Sequence, residues 1–523
     1  MKVFLHKNSI LTYCFVLAIT LLGLYISLKL TKGNFTYALD DAYIHISVAK
    51  NLVERGLWSV DGISKASASS SPFWVLILAF FYLLLGKEIF LFVPLVLNIT
   101  FMLLSLFLIL KFFKNHFGID LHFIYGILIS LIIPTVALIL GGMEHAFHIF
   151  LLIMFLDKVF AYFKNPTDIE AKKKITYLAP FVVFVRYESF ALILAFCTLA
   201  IINFKDYKLS LSTLISSLIF IVAFALISKF YFNSELIPNS IQAKSLLIDS
   251  QGILPTLLKI FKNFFQNLLH PHIVGLYILN IVILIERSTK TESSYFLWTL
   301  LFLLGLSLHL AFGKVGWLFR YEAYLVVFGI INALIHFIQN FSITKWKYLL
   351  IVLLLPPFGE LILYSPYQAI IGTKNIYEQQ MQSAKFLQEN CNNCSVAAND
   401  IGAITYFTNI KLLDLIGLAN DEVLQLRKKR QLNNEKINVL LAKHKVEFII
   451  IYEHWFEGME FKNFTKIGEW KIQKNVVCGG ETVSFFSRND VLEKNIKKFK
   501  NFTNSKLPET VIFRICDVNN PQE

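Results

Sequence analysis

The sequence predicts a polytopic α-helical membrane protein of about eleven transmembrane helices, followed by a small extracytoplasmic α/β domain. Three observations support this fold class. Of 523 residues, 56% are hydrophobic and only 16% are charged, with a mean hydropathy of +0.59. Several apolar runs approach the roughly 20 residues that a helix needs to cross a bilayer. After Tyr364 the sequence changes to mixed charge and short apolar stretches, which indicates a separate water-exposed domain over residues 365–523.

The net charge of +13 does not indicate nucleic-acid binding, because most Lys and Arg residues before Tyr364 flank hydrophobic segments and no nucleic-acid motif accompanies them. The apolar run 9–30 is longer than a signal-peptide core and lacks a convincing cleavage site. It therefore predicts a retained first helix that starts in the cytoplasm. The other predicted spans of the transmembrane domain, residues 1–364, are 89–110, 119–140, 145–163, 175–186, 187–204, 209–231, 271–286, 294–313, 320–340 and 346–364.

Basic residues decide the predicted orientation. The apolar segment Pro72–Leu85 begins with a proline, a residue suited to a first helical turn. If this segment lies along the outer membrane surface, every Lys-rich connection falls on the cytoplasmic side, as the positive-inside rule requires. If it crosses the membrane, the rule fails throughout. We therefore expect an interfacial helix within a first outer loop, residues 31–85, and an extracytoplasmic C-terminal domain.

The first outer loop carries two adjacent carboxylates, Asp40 and Asp41. An acidic pair near the edge of a bilayer is costly to desolvate, so it is a candidate site for binding or chemistry. The amphipathic stretch Ala42–Arg55 follows, and Asp is a favoured helix cap, so one member of the pair could serve only as a cap. A cap does not require two carboxylates.

Further charged residues occur at the predicted outer ends of other helices. Glu144 follows two glycines at the start of a helix, where its alternative role is to interact with the positive helix end. Arg186, Tyr187 and Glu188 interrupt a long apolar run, which predicts a short outer turn. Arg186 and Glu188 could also form a purely structural ion pair. A mixed set of charges on one membrane face is typical of a polar cavity between helices.

Two outer loops carry candidate groups for binding substrate. The loop after residue 231 contains Asn239, Gln242 and Lys244, which could bind sugar hydroxyls and phosphate, although surface loops often have this composition. The segment Gly313–Tyr321 combines Lys314 and Arg320 with aromatic residues that include Tyr321. These types suit a phosphate group and a sugar or prenyl chain, and the alternative is an aromatic belt with anchoring cations.

The order of these motifs resembles the GT-C superfamily of glycosyltransferases that use polyprenyl-phosphate sugars. Within it, the chain is most similar to the bacterial group that includes the mycobacterial terminal arabinofuranosyltransferases. Phe73, Met143 and His145 depart from the usual pattern of that group, which leaves the sugar open. The motifs that carry the resemblance are Asp-Asp-Ala-Tyr-Ile at 40–44, Asn51–Gly56, Ser-Pro-Phe-Trp at 71–74, Gly-Met-Glu at 142–144, Arg-Tyr-Glu at 186–188, Ile237 through Lys244, Asn-Asp-Ile-Gly at 399–402 and Asp-Leu-Ile-Gly-Leu at 414–418.

The resemblance implies transfer of a sugar from a polyprenyl-phosphate donor to an acceptor hydroxyl on the outer membrane face, with inversion. A carboxylate would take the proton of the acceptor, and we expect Asp41 or Asp40 in that role. Glu144 would orient the acceptor or a metal. The lipid phosphate would be held by Arg186, Lys244 and Arg320. The sequence requires no cofactor, and a divalent cation, Mg²⁺ or Mn²⁺, could bind at Asp40 and Asp41.

The C-terminal domain is predicted to begin with a helix over Asn375–Gln388. Predicted strand segments at 395–398, 411–415 and 446–452 alternate with helical stretches such as 422–444, which indicates an α/β domain. Its four cysteines, Cys391, Cys394, Cys478 and Cys516, could form disulfides outside the cytoplasm. Nothing in this domain indicates catalysis, and we expect it to help place the acceptor glycan.

Several alternatives stay open. Within the enzyme class the alternative is a lipid-glycan ligase that moves whole oligosaccharides. A transporter or a non-enzymatic assembly protein would also carry buried charges, although we find no internal repeat that would indicate a transporter. The expected partners are the lipid-linked donor, an envelope glycan or lipid acceptor and the bilayer. The predicted location is a bacterial plasma membrane.

Overall fold

The structure, a computed structural model of the chain, describes residues 7–64, 66, 68–232, 235–236, 238–242, 252–288, 293–340, 357–391 and 393–516. Two compact units are present, and each is assembled from three separate stretches of sequence. The first unit contains Met1–Leu24, Pro94–Phe224 and Leu246–Ala369. The second unit contains Tyr25–Val93, Ala225–Ser245 and Ile370–Glu523, so the predicted first outer loop belongs to the same unit as the C-terminal residues.

Helices dominate the chain up to residue 390. Several are long and apolar, because the sequence there offers few polar side chains and few helix breakers. The α-helices before the sheet are Lys7–Leu30, Asp40–Arg55, Pro72–Leu85, Lys87–Phe90, Val93–Phe117, Phe123–Ile132, Thr135–Gly141, His145–Lys164, Ile169–Val185, Phe190–Phe204, Tyr207–Phe230, Asn239–Gln242, Ile253–Leu268, Pro271–Ser288, Ser293–Phe312, Ala323–Asn340, Ser365–Ile376 and Gln382–Asn390.

Seven helices in the described residues are long and apolar enough to cross a membrane, or eight if the bent pair Phe123–Ile132 and Thr135–Gly141 forms one span. The prediction of about eleven spans exceeds this number for identifiable reasons. Ile169–Val185 is a 17-residue helix with three consecutive lysines, and Ala323–Asn340 has only a short apolar stretch. Much of the predicted span 346–364 lies outside the described residues. The multi-pass membrane fold is confirmed, and the number of crossings stays a prediction.

The helix Pro72–Leu85 has the bounds that the sequence predicts. Proline occupies its first turn, and the helix ends before Gly86, whose φ of +73° suits glycine. At about 1.5 Å per residue its 14 residues span about 21 Å, less than the roughly 30 Å of hydrocarbon. Trp74 and Leu78 are buried, whereas Phe80 and Leu83 are exposed. This two-sided burial is consistent with a helix at the membrane surface.

The second unit contains a six-stranded mixed sheet with the strand order β2-β1-β3-β5-β4-β6. Strands β1, β2 and β3 run parallel, whereas β5, β4 and β6 pair antiparallel. The structure confirms the three predicted strand segments, and β4 to β6 were not predicted. The strands are β1 (Ser395–Ala398), β2 (Lys411–Asp414), β3 (Phe448–Ile451), β4 (Phe464–Lys471), β5 (Thr482–Arg488) and β6 (Ile512–Ile515).

Helices cover both faces of this sheet. The single predicted helical stretch 422–444 is two helices, Asp421–Lys428 and Asn434–Lys443, which bury Val423 and Leu440 against one face. On the other face, Phe386 packs against Phe448 and Phe485, and helix Leu492–Lys506 adds Phe499 and Phe502. The remaining helix of this region, Gly402–Phe407, follows β1.

Two of the four cysteines of the C-terminal domain, Cys391 and Cys394, form a disulfide. Cys478 and Cys516 are free thiols.

Candidate functional site

Asp40 does not cap its own helix. The N-cap of Asp40–Arg55 is Leu39, which makes no side-chain capping bond. Instead, Oδ2 of Asp40 accepts the backbone N–H of Gly402 at 2.7 Å, and Oδ1 accepts that of Ala403 at 2.8 Å. The carboxylate thus satisfies two donors at the start of helix Gly402–Phe407, where negative charge is favourable. The alternative that Asp40 caps the helix directly after it is therefore wrong, because the helix whose N–H groups it accepts begins 362 residues further along the chain.

The Asn-Asp-Ile-Gly motif ends in glycine because of this contact. A Cβ atom at Gly402 would lie 2.1 Å from the backbone oxygen of Asp40 and 2.9 Å from its Cγ. No side chain fits that space without moving Asp40. The close approach of the two backbones therefore requires glycine at this position.

A third carboxylate, Asp400, lies at the edge of the sheet where the parallel strands end. It follows β1, and Tyr452 follows β3, so the parallel register brings the two together. The Tyr452 hydroxyl lies 2.6 Å from Oδ2 of Asp400, and Nε2 of Gln380 donates to the same oxygen at 2.7 Å. Oδ1 of Asn399 accepts the backbone N–H of Tyr452 at 2.8 Å. These bonds fix the position of Asp400.

The glutamine that contacts Asp400 comes from a π-helical turn, Tyr377–Met381, where each backbone bond spans one residue more than in an α-helix. Gln379 and Gln380 are both buried. Oε1 of Gln379 lies 2.6 Å from the Tyr452 hydroxyl, and its Nε2 donates to the carbonyl of Gly480 at 3.2 Å. Two adjacent side chains thus join one network around Tyr452. Single π turns inside helices are frequent at functional sites.

Asp40, Asp41 and Asp400 form a carboxylate cluster whose charges oppose one another. Burial raises the pKa of Asp40 well above its usual range, and the charges of Asp400 and Asp41 raise it further, whereas the two backbone N–H bonds lower it. Burial also raises the pKa of Asp400, and Asp41 adds to that shift, against the hydrogen bonds from Tyr452 and Gln380. Carboxylates perturbed by burial and by like charges are typical of catalytic sites.

Asp414, at the end of β2, shapes the neighbouring loop. It is fully buried and accepts the backbone N–H groups of Ile416 at 2.8 Å and Ala419 at 2.6 Å. Burial raises its pKa to about 6. Asn239 donates to the carbonyl of Gly417 in this loop at 3.2 Å and to Oδ1 of Asp421 at 2.6 Å. Oε1 of Gln242 accepts a bond from Lys428 at 2.8 Å.

Within the residues that the structure describes, no group of three His, Cys, Asp or Glu side chains is arranged to hold a metal ion. Both oxygens of Asp40 already accept backbone N–H groups. A divalent cation at Asp40 and Asp41 therefore stays a prediction, and no reaction step below passes through one.

In the first unit, Glu144 pairs with Arg186. Gly142, with φ of +69°, turns the chain between helix Thr135–Gly141 and Glu144, which makes no capping bond to the helix that follows. The Glu144 side chain is fully buried, and its Oε1 lies 2.7 Å from Nη1 of Arg186. Nη2 of Arg186 lies 2.5 Å from Oε1 of Glu188. The predicted outer turn is present as Tyr187–Ser189. Two carboxylates therefore compensate one buried guanidinium group.

The ring of Tyr321 lies between two guanidinium groups. The centre of the Arg186 group is 5.6 Å from the ring centroid, and that of Arg320 is 4.9 Å away. Nη2 of Arg320 donates to the Tyr321 hydroxyl at 3.0 Å, and its Nη1 contacts the sulfur of Met143 at 2.7 Å. Met143 is one of the departures from the family pattern, and it thus lies against a predicted phosphate-binding residue.

Three consecutive residues before Arg320, Trp317 to Phe319, adopt left-handed backbone conformations with φ between +48° and +66°. Such conformations are strained for residues with side chains and are often found at functional sites. Glu322 holds this loop, because its Oε2 accepts the N–H of Gly316 at 3.0 Å and its Oε1 lies 3.1 Å from Nε2 of His272.

The sequence did not predict a hydrogen-bond network of polar residues that begins beside Arg186. Nε2 of His148 lies 2.5 Å from the hydroxyl of Ser189, and the His148 ring packs on Tyr324. The Tyr324 hydroxyl lies 3.1 Å from Nδ1 of His309, whose Nε2 donates to the carbonyl of Lys314 at 2.9 Å. In the sequence, isolated histidines within apolar helices gave the only indication of this hydrogen-bond network.

The predicted site residues are thus divided between the units. The first unit brings together Glu144, Arg186, Glu188, Arg320 and Tyr321, with Tyr187 in the adjoining turn and Lys314 in the adjoining loop. The second unit contains Asp40 and Asp41, and it ties Asn239 and Gln242 to the loops and helices after β2. Lys244 lies outside the described residues. Asp400, Tyr452, Gln379 and Gln380 were not predicted as site residues.

Apolar helices long enough to span a bilayer define a polytopic membrane protein, and its second unit carries a mixed sheet. Its fold is shared by a membrane protein of known structure. The chain is similar to the crystal structure of ArnT from Cupriavidus metallidurans bound to undecaprenyl phosphate, with a TM-score of 0.51 and 10% identity over 91% of this chain and 97% of that one.

Two other structures are less similar overall. An oligosaccharyltransferase from Archaeoglobus fulgidus has a TM-score of 0.46 and 10% identity, over 83% of this chain and 69% of that chain. The arabinofuranosyltransferase AftD from Mycobacteria has a TM-score of 0.45 and 12% identity, over 90% of this chain and 41% of that chain.

Residues 374–486 match a family described as "Domain of unknown function (DUF8728)". This matched segment, about a fifth of the chain, contains Gln379, Gln380, Asp400 and Tyr452. A comparison with curated proteins finds no match.

Proposed function

We propose that this protein transfers a sugar from a polyprenyl-phosphate donor to a hydroxyl group of a cell-envelope glycan or glycolipid. The observation that carries the proposal is the cluster of Asp40, Asp41 and Asp400 on a chain with the GT-C fold. A like-charge cluster costs folding stability, so its presence favours a role in chemistry.

Asp41 is the proposed general base. Asp40 commits both oxygens to helix Gly402–Phe407, which makes it a positioning residue for its neighbour. Asp400 is held by Tyr452 and Gln380, and its charge opposes the ionisation of Asp40. Asp41 is half-buried and lies directly after the fixed Asp40. A base must be held in place yet reach the proton that it takes, and the half-buried position of Asp41 beside a fixed neighbour supports this role.

In the proposed reaction the acceptor oxygen forms a bond to the anomeric carbon of the donor from the side opposite the phosphate. The bond from that carbon to the phosphate oxygen breaks, and its electron pair stays on the polyprenyl phosphate. The acceptor proton passes to Asp41. Attack from the opposite side inverts the anomeric configuration.

We propose that Arg320 and Lys314 bind the departing phosphate, with Arg186 as the alternative. Arg186 lies against two carboxylates, those of Glu144 and Glu188. Arg320 is buried, follows the strained left-handed segment and contacts Tyr321 and Met143. A buried guanidinium group stabilises phosphate charge strongly, because water does not screen it. Lys244 is a further candidate from the sequence alone.

The proposed location is a bacterial plasma membrane with the N-terminus in the cytoplasm and both predicted binding loops on the outer face. This orientation depends on the distribution of lysines in the sequence and on the interfacial helix Pro72–Leu85, which is too short to cross.

The test is glycan profiling of the native cell envelope with the wild-type gene and with Asp41→Asn at matched protein level. We expect Asp41→Asn to lower transfer about 10²- to 10⁴-fold, the usual contribution of a general base. One sugar should be lost from a defined glycan, and its polyprenyl-phosphate donor should accumulate. The matched control is Asp490→Asn, which removes an exposed carboxylate from the same unit.

An unchanged envelope with a normally inserted Asp41→Asn protein would contradict the proposal and favour a transporter or an assembly protein. Loss of a whole oligosaccharide, with its lipid-linked precursor accumulating, would identify a lipid-glycan ligase instead.

A further inference from the structure

A second polar feature of the second unit is a pocket of about 380 Å³, which we call the lysine pocket. Its volume is in the range of small-molecule binding sites. The lysine pocket is lined by Lys50, Lys87, Glu88, Leu91, Gln388, Cys391, Tyr406, Phe407, Thr408 and Asn409. None of these residues has a role in the carboxylate cluster.

Three charged residues line the lysine pocket: the cations Lys50 and Lys87 and the anion Glu88. Partial burial lowers the pKa of Lys50, and the nearby charges of Lys87 and Arg55 lower it further, against the charge of Glu54. In the described part of the chain, neither Lys50 nor Lys87 has a carboxylate oxygen within 4.0 Å. Two ammonium groups that repel each other beside a cavity would be stabilised by an anionic ligand.

The remaining lining suits a sugar. Nζ of Lys50 lies over the Tyr406 ring, 5.8 Å from its centroid, and Phe407 packs edge-on against that ring at 4.7 Å. Tyr406 and Phe407 are half-buried, so part of each ring is accessible. Gln388, Thr408 and Asn409 add amide and hydroxyl groups at the same pocket. Aromatic surface beside a few polar groups is the usual composition of a small-molecule site.

The lysine pocket is connected to the carboxylate cluster by two helices. Lys50 lies ten residues after Asp40 on one helix, a distance of about 15 Å along the axis at about 1.5 Å per residue. Asp40 binds the start of helix Gly402–Phe407, and the end of the same helix lines the pocket. An extended ligand could therefore reach both places within this unit.

We propose that the lysine pocket is an acceptor subsite that binds an anionic group, a carboxylate or a phosphate, carried by the acceptor. This assignment rests on the proposed function, because it names the acceptor of that reaction. The anionic group has two possible sources, an acidic glycan and a lipid headgroup, and the same lysines would bind either one.

The experiment measures binding to the purified full chain, held in nanodiscs of neutral lipid, without any donor. The soluble probe is tetragalacturonate, with neutral maltotetraose as its uncharged counterpart. The lipid probe is a phosphatidylglycerol vesicle, compared with a phosphatidylcholine vesicle. The test variant is the double substitution Lys50→Gln/Lys87→Gln. The matched control is Lys471→Gln/Lys506→Gln, which removes the same charge from two exposed lysines of the same unit.

We expect Lys50→Gln/Lys87→Gln to weaken binding of the anionic probe at least about tenfold, as loss of charge-assisted hydrogen bonds does. Binding of maltotetraose should not change. The control should bind like the wild type, and Lys50→Arg/Lys87→Arg should retain binding because it keeps both charges. Preference for tetragalacturonate would identify an acidic glycan, and preference for the anionic vesicle would identify a lipid headgroup.

Equal weakening in both Gln double variants would overturn the proposal, since the effect would then come from net charge alone. Failure of the wild type to bind either anionic probe would also overturn it. Because no donor is present, this result is independent of the transfer assay. Anion binding without any sugar transfer would contradict the proposed function and leave the lysine pocket as an anion site.

Discussion

The two units organise their buried charges in opposite ways. In the first unit, Arg186 lies between Glu144 and Glu188, so opposite charges neutralise one another. In the second unit, the charges of Asp400 and Asp41 raise the pKa of Asp40, and the charge of Asp41 raises that of Asp400. Backbone N–H groups stabilise Asp40, and neutral side chains stabilise Asp400. A compensated cluster can be purely structural. A cluster of like charges lowers stability and therefore indicates function more strongly.

The two clusters also differ in the charges that face each carboxylate. Glu144 and Glu188 lie against the guanidinium group of Arg186. Burial, and then like charge, raises the pKa of Asp40 and of Asp400, so both hold a proton at a higher pH than an exposed aspartate does. A group that exchanges a proton during a reaction needs this second kind of environment. This contrast favours the second unit as the location of the proposed proton transfer.

The largest expected effect on stability comes from Arg186→Met. The substitution leaves the fully buried Glu144 without its cationic partner, and we expect a loss of about 3–5 kcal/mol, as for other buried ion pairs that lose one member. Thermal unfolding of the full chain in detergent measures it. The double variant Arg186→Met/Glu144→Gln should recover part of the loss, because no buried charge then remains unpaired in that contact.

The matched control is Arg488→Met, which breaks the exposed pair with Asp490 and should change the unfolding temperature little. If Arg186→Met behaved like this control, the first unit would not depend on charge compensation, and Arg186 would become available as a phosphate ligand.

A smaller effect is expected for Gly402→Ala. The new Cβ would overlap the backbone oxygen of Asp40, and overpacking of this kind costs about 1–3 kcal/mol. Because Asp40 must move, transfer should fall further than the loss of stability alone explains. The control is Gly359→Ala, since a Cβ there meets no atom within 4 Å. Equal activity of the two variants at matched protein level would show that the position of Asp40 has no bearing on transfer.

Local features of the sequence predicted much of the fold. Pro72 and Gly86 mark the ends of the helix Pro72–Leu85, and both predicted bounds are correct. Apolar strand segments separated by polar stretches predicted β1 to β3. The antiparallel half of the sheet was missed, because strands such as β4 carry lysines and a glycine that weaken the apolar pattern. The number of spans depends on packing and on depth in the membrane, which composition alone does not determine.

The site was only partly predictable. Two adjacent carboxylates after a membrane helix made Asp40 and Asp41 candidate site residues, because charge is rare at such positions. Their partners were not predictable from local sequence, since Gly402 is 362 residues from Asp40 and Gln380 projects from a π turn without a sequence signature. Asp400 and Tyr452 are ordinary polar residues until the parallel register of β1 and β3 brings them together.

The smallest expected effect is a change in how the free energy of unfolding depends on pH. This measurement tests the like-charge cluster directly. The folded chain binds protons at Asp40 and Asp400 more tightly than the unfolded chain does, so their contribution to stability falls as the pH rises from about 4, the ordinary pKa of Asp, through the raised folded values. The slope of the free energy of unfolding against pH is at most about 1.4 kcal/mol per pH unit for each extra proton bound, and solvent screening reduces this slope.

Asp400→Asn should make this slope shallower between pH 5 and pH 7, because it removes one titrating group and also the charge that raises the pKa of Asp40. The amide oxygen can still accept the bond from Gln380, so the fold should persist. Asp414, whose pKa is about 6, contributes the same background to both proteins. Thermal unfolding at the two pH values gives the comparison, with Asp490→Asn expected to retain the wild-type slope. If Asp400→Asn had the same slope as the wild type, the three carboxylates would titrate independently, as exposed surface carboxylates do. The contrast between the two units would then no longer favour the second unit as the site of proton transfer.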